Sequence, residues 1–269
     1  MSADGTATIA KSRAEGKVLS AVQLTVGYQR EVVVEGIDLG LEPGKTLALV
    51  GSNGSGKSTF LKTIAGLLPP LAGSLEVLGG KPLGSPADVA YMGQFQPSTG
   101  TLPLRAIDVV RMARFARRGL VGRMRAEDEE AVRRAMDVMG VTQIARAPLN
   151  TLSGGQRQRV FIAQAFAREA KLILLDEPAT NLDAHSRETY RRMIGEAVSA
   201  GASIVIATHD IEEATACDYA LLLARKVVAF GPGCKVLRAE TLMSTFGIVG
   251  HYTKDGTVVV EREHGHDCE

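Results

Sequence analysis

The chain has 269 residues, with 31 Lys plus Arg against 30 Asp plus Glu and a net charge of +1. That balance gives no global attraction to nucleic acid or to an anionic membrane, and an aromatic content of 4% without Trp argues against a base-stacking surface. No apolar run approaches the ~18 residues of a spanning helix, the N-terminus lacks an apolar signal-peptide core, and three cysteines cannot build a disulfide framework, so a reducing, cytoplasmic location is expected.

Residues 1–17 are small and polar without a clear period and are expected to be a disordered leader. Val18 to Val26 and Val32 to Leu41 read as strands, the second closed by Glu42-Pro43-Gly44. Thr46 to Val50 is a short apolar strand entering a glycine-rich loop. Ser58 to Leu68 reads as a helix stopped by Pro69-Pro70, followed by short strands at Ser74–Leu78 and Asp88–Met92. From Leu104 to Gly140 the period is helical, broken at Gly119 and Gly122, with an acidic first turn at Glu127 to Glu130. Strands and helices then alternate: Leu172–Leu175, a helix at Ser186–Ala200, Ser203–Ala207, a helix at Ile211–Cys217, then Tyr219–Leu223 and Val227–Phe230. Short buried strands alternating with helices predict a parallel sheet covered on both faces, with a helical insert.

Gly51-Ser52-Asn53-Gly54-Ser55-Gly56-Lys57-Ser58 fits the phosphate-loop pattern G-x-x-x-x-G-K-[ST]. Its glycines let backbone N–H groups wrap phosphates, and the following helix adds a partial positive charge. Lys57 would reach the β and γ phosphates, the Ser58 hydroxyl would bind Mg²⁺, and Thr59 would support the α or β phosphate. Asp176 and Glu177 end an apolar strand: the first is suited to hold Mg²⁺, the second to orient and deprotonate a water. Leu152-Ser153-Gly154-Gly155-Gln156 opens a helix whose N-terminus forms a second anion site, with Ser153 as N-cap.

From Val18 to Gly250 the chain resembles the ATP-binding subunits of ABC transporters, through seven motifs in that family's order. Besides the three above, Gln94 matches the Q-loop, Asp183 the D-loop and His209 the switch histidine, and Tyr28 stands where the family stacks an aromatic on adenine. The resemblance implies an α/β fold with a P-loop, RecA-like ATPase core, an antiparallel β subdomain and an inserted α-helical subdomain. It divides the chain into the leader 1–17, an ATPase domain at 18–250 with the helical part at about 96–165, and a tail at 251–269. It implies ATP with Mg²⁺, held by Ser58, Gln94 and Asp176, and catalysis by Glu177, His209 and Gln94. Two copies would face each other head to tail, each ATP lying between one copy's phosphate loop and the other's Ser153, Gly154, Gly155, Gln156 and Asp183. The partners implied are a second copy, membrane permease subunits and, indirectly, an extracytoplasmic substrate-binding protein, with no nucleic acid; the chain would sit on the inner face of the membrane. Ser52, Gly93 and Asn181 depart from the family's usual residues without removing a chemical group.

The finer pattern resembles the zinc and manganese importers, through Leu102-Pro103-Leu104, the run Asp108 to Arg114, Arg117 to Leu120, and the run Leu152 to Arg159 followed by Ala163-Gln164-Ala165. Siderophore and cobalamin importers share several of these strings and remain the alternative, ahead of a non-transport ABC ATPase. Arg111 to Arg125 holds six arginines and no acid, read either as a basic docking face or as a solvated helix and loop. The tail places His264, His266, Asp267 and Cys268 within five residues, with His251 upstream: donors that suit Zn²⁺, or a disordered polar end.

Overall fold

A computed structural model describes residues 16–29, 31–82, 88–94, 104–118, 123–252 and 258–262. Two sheets organise the first two hundred of these positions. Strands β1 (Leu19–Tyr28), β2 (Glu31–Leu41) and β4 (Ala72–Val77) form an antiparallel sheet in the order β2-β1-β4. Strands β3 (Thr46–Val50), β5 (Val89–Met92), β6 (Leu172–Asp176), β7 (Ser203–Thr208), β8 (Tyr219–Leu223) and β9 (Val227–Pro232) form the second, in the order β5-β6-β7-β3-β8-β9. All its pairings are parallel except β8 with β9.

The apolar strands β3, β6 and β7 are buried along their whole length because both faces of this sheet are covered. Leu172, Leu174, Val205 and Ala207 pack on one side with Leu47, Leu49 and helix α1 (Lys57–Ile64), in a core shared with the antiparallel sheet. Ile173, Leu175, Ile204 and Ile206 face the other side, against helices α2 (Ala106–Arg118), α3 (Ala126–Val138), α4 (Gly154–Ala167) and α5 (Ala184–Ser199). A third, smaller cluster joins Ala48 and Val50 to helix α6 (Ile211–Thr215) and to the short helices α7 (Gly233–Val236) and α8 (Ala239–Phe246). Strands β10 (Ile248–Tyr252) and β11 (Val258–Arg262) pair as a separate antiparallel hairpin.

Several elements differ from the sequence expectation. Helix α1 ends at Ile64 rather than Leu68, because the chain turns at Gly66 (φ 73°) before the prolines are reached. Helix α5 begins two residues early, where Asp183 caps it by accepting from the Ser186 N–H at 2.7 Å. Helix α8 and strand β10 had no counterpart in the sequence reading. Leader residues 1–15, the Gly119 and Gly122 breaks and the tail donors His264 to Cys268 lie outside the described residues. Among the described residues no helix is long and apolar enough to cross a membrane.

Two arginines of the arginine-rich stretch are drawn into the helical insert, while Arg123 and Arg125 are exposed. Arg114 is 5% exposed in its side chain and donates to Asp128 Oδ1 (2.9 Å), the Ala167 carbonyl (3.0 Å) and Glu169 Oε2 (2.8 Å), binding α2, α3 and the end of α4 together. Arg111 pairs with Glu129 at 2.8 Å. The acids that neutralise these arginines come from later in the chain, where a local charge count does not look.

Candidate nucleotide-hydrolysis site

The parallel register aligns the carboxyl ends of four neighbouring strands. Val50 lies opposite Thr208, Asp176 opposite Ala207, and Met92 opposite Leu175. The residues that follow these ends, the loop 51–56, Glu177, His209 and Gln94, therefore emerge along one edge of the sheet, the usual place for ligands in such folds.

Steric detail explains the glycines of the loop. A Cβ on Gly51 would fall 2.2 Å from the Leu223 carbonyl oxygen on β8, and one on Gly56 would fall 2.3 Å from Val34 Cγ2 on β2. Gly54 and Gly56 also have φ of 77° and 106°. The loop is thus wedged between both sheets and opens directly into α1, whose N-terminus has no side-chain cap and presents its first N–H groups outward. Lys57 Nζ donates back to the Gly51 and Ser52 carbonyls at 2.7 and 3.0 Å. Burial pushes the Lys57 ammonium below its ordinary pKa, against the opposing pull of Glu177 and Asp176. Ser52, Asn53 and Gly54 are exposed; Thr59 is buried, and so is Ser55, whose hydroxyl has no partner among the described residues.

Ser58 Oγ donates to Asp176 Oδ1 at 3.0 Å, joining the start of α1 to the end of β6. Asp176 is 2% exposed, and burial raises its carboxyl above the usual range, with the Ser58 hydroxyl pulling it back down. A hydroxyl and a carboxylate side by side are hard oxygen donors, so the pair fits a divalent cation such as Mg²⁺. Glu177 has a left-handed backbone (φ 50°), with its N–H bonded to the Ala207 carbonyl at 2.9 Å. Its side chain is only 13% exposed, and Oε1 lies 3.8 Å from His209 Nδ1. Gln94 is exposed two residues past Met92. Tyr28, 41% exposed at the end of β1, holds its ring 5.8 Å from Lys62 Nζ of α1.

The segment 152–156 is built separately. Ser153 Oγ accepts from the Gln156 N–H (3.3 Å), while Gln156 Oε1 accepts from the Ser153 N–H (2.9 Å), a reciprocal cap that fixes the start of α4. Ser153 and Gly154 are exposed. A Cβ on Gly155 would come 3.0 Å from the Asn181 carbonyl oxygen, so α4 lies close on the segment after Glu177. Asp183 is exposed, its carboxyl lowered mainly by the hydrogen bond from the Ser186 N–H. The structure therefore brings together Lys57, Ser58, Asp176, Glu177 and His209. Among the described residues no hydrogen bond or ion pair joins Ser153 to Gln156 with that group.

The ABC transporter family profile matches residues 34–180. The chain belongs to the ABC transporter family. It is 33% identical over 225 residues to a manganese transport system ATP-binding protein of Bacillus subtilis, covering 83% of this chain and 90% of that protein. It is 34% identical to an iron(3+)-hydroxamate import ATP-binding protein of the same organism, covering 88% and 90%. A solved structure of a putative metal-chelate type ABC transporter in an inward-facing conformation superposes with a TM-score of 0.74 at 29% identity, over 92% of this chain and 98% of that one. As an ABC transporter ATP-binding chain, this protein binds ATP and hydrolyses it to power transport, working with membrane permease partners.

One residue of this ABC transporter chain escaped the sequence reading. Gln158 on α4 is 6% exposed and donates from Nε2 to the Pro178 carbonyl at 2.8 Å and, more weakly, to the Glu177 carbonyl at 3.4 Å. Its one legible signal was a polar residue on a helix face otherwise lined by Gly155 and Ile162.

Proposed function

We propose that this ATPase energises uptake of a divalent metal ion such as manganese or zinc. The observation that carries the reading is the likeness to the manganese transport ATP-binding protein over 83% of the chain. Uptake of a metal chelate is the second reading, favoured by the likeness to the iron-hydroxamate import protein and to the metal-chelate type transporter structure.

In the mechanism we propose, the loop 51–56 and the N-terminus of α1 bind the phosphates, Lys57 reaches the β and γ phosphates, and Thr59 supports the α or β phosphate. The Ser55 hydroxyl, buried without a partner among the described residues, is a further donor for an anion. Tyr28 packs against adenine. Ser58 and Asp176, with Gln94, would hold Mg²⁺, which neutralises phosphate charge when it is bound with the nucleotide. Glu177 accepts a proton from water as the water oxygen bonds to the γ phosphorus; the bond to the bridging oxygen breaks, releasing ADP and inorganic phosphate. His209, 3.8 Å from Glu177, contacts the γ phosphate. Ser153, Gly154, Gly155, Gln156 and Asp183 serve the nucleotide of a second copy. The chain then divides into a leader (1–17), the ATPase domain (18–250, helical part about 96–165) and a tail, and works on the inner face of the membrane beside permease subunits supplied by a substrate-binding protein.

The test is a gene deletion restored with wild type or with Glu177→Gln, grown under metal limitation, with total cell Mn, Zn, Fe and Co measured by mass spectrometry. A fall in manganese or zinc restored only by wild type is expected. Unchanged manganese and zinc with a fall in iron or cobalt would move the substrate to a chelate.

A further inference from the structure

Glu177 has a left-handed backbone (φ 50°), a conformation a non-glycine residue keeps only where its surroundings impose it. Two surroundings do so. On one side its N–H is fixed to the Ala207 carbonyl of β7 (2.9 Å). On the other, its own carbonyl and that of Pro178 point at α4, where the Gln158 amide meets both, at 3.4 and 2.8 Å. An amide nitrogen is the right group there, because two carbonyls demand a donor. Gly155 lies one turn earlier on the same face, where even a methyl group would come 3.0 Å from the Asn181 carbonyl oxygen. Asn181 also has a left-handed backbone (φ 66°). The first turns of α4 and the segment 177–182 are thus joined by a close backbone approach and by one buried polar side chain.

We infer that Gln158 is a positioning residue for hydrolysis: it ties the helix opened by Ser153-Gly154-Gly155 to the backbone that aims the Glu177 carboxylate. Movement of α4, whose N-terminus is exposed, is transmitted through this amide to Glu177. The inference rests on the catalytic role proposed for Glu177. Gln158 is buried and spends its amide on backbone carbonyls, so its loss acts on turnover rather than on ATP binding.

The test compares ATP turnover of the full-length chain as wild type, Gln158→Met, Gln158→Glu and Glu177→Gln. Gln158→Met keeps the side-chain length and removes the donor; we expect kcat to fall about 10- to 100-fold with KM for ATP within about twofold of wild type. Gln158→Glu sets a carboxylate against two carbonyls and is expected to be equally slow at pH 8. As pH falls toward 6 its protonated form donates to the Pro178 carbonyl again, and kcat recovers relative to wild type. Recovery on protonation separates loss of the donor from misfolding. Wild-type kcat in both variants, a raised KM with kcat preserved, or a Gln158→Glu rate that stays low at every pH would overturn the inference. A Glu177→Gln rate equal to wild type would instead refute the role of Glu177 itself.

Discussion

Glu177 shows how much a single position demands of its neighbours. The proposed base must lie close to its water and stay there, and the backbone that carries the Glu177 carboxylate is left-handed and is held by β7 and, through the Pro178 carbonyl, by Gln158. Glu177→Gln preserves shape and removes the base, so phosphate release should fall about 10²- to 10⁴-fold while ATP affinity is kept; a nucleotide-binding assay beside a phosphate-release assay checks both. Lys57, Asp176, Glu177 and His209 were legible in the sequence because each closes an apolar strand or follows a glycine loop, and strand ends in a parallel sheet share one edge. Gln158 was not legible, because a side chain that bonds backbone carbonyls leaves no partner type for a pattern to match. The pairing of Arg114 with Asp128 and Glu169 was hidden for a related reason: its partners lie 14 and 55 residues away.

At the scale of elements, α6 follows His209 and buries an acid. Glu213 is buried. Burial raises its carboxyl above the ordinary range, against the nearby Thr208 and Tyr190 hydroxyls, which lower it. A raised folded-state value means the folded chain keeps this proton to higher pH than the unfolded one. Its contribution to stability is therefore complete below about 4.5 and is lost as pH rises through the raised value. Glu213→Gln should flatten the decline of Tm as pH rises above about 4.5, measured by differential scanning fluorimetry; Asp176, shifted in the same direction, keeps part of the slope. The strands β3, β6 and β7 were readable as elements because both-face burial writes an unbroken apolar run. The end of α1 was misread because Pro69-Pro70 is a louder stop than Gly66, although the left-handed turn comes first. Helix α8 and strand β10 were missed because short C-terminal elements carry little period of their own.

The whole molecule holds two unlike halves of a site. One is the loop 51–56 with Ser58, Asp176, Glu177 and His209; the other is the exposed start of α4, fixed to the 177–182 segment rather than to that loop. Two anion-binding helix starts that do not meet in one chain would be completed if, as proposed, a second copy supplied the opposite half in a twofold arrangement. The most direct test mixes two inactive variants, Lys57→Ala, which loses its own phosphate grip, and Ser153→Arg, which loses the start of α4. Mixed dimers contain one site built from the intact loop of one copy and the intact α4 of the other. ATP hydrolysis should return on mixing, to at most about a quarter of the wild-type rate, since half the dimers are mixed and each has one good site of two. A mixture as inactive as either variant alone would contradict the shared site.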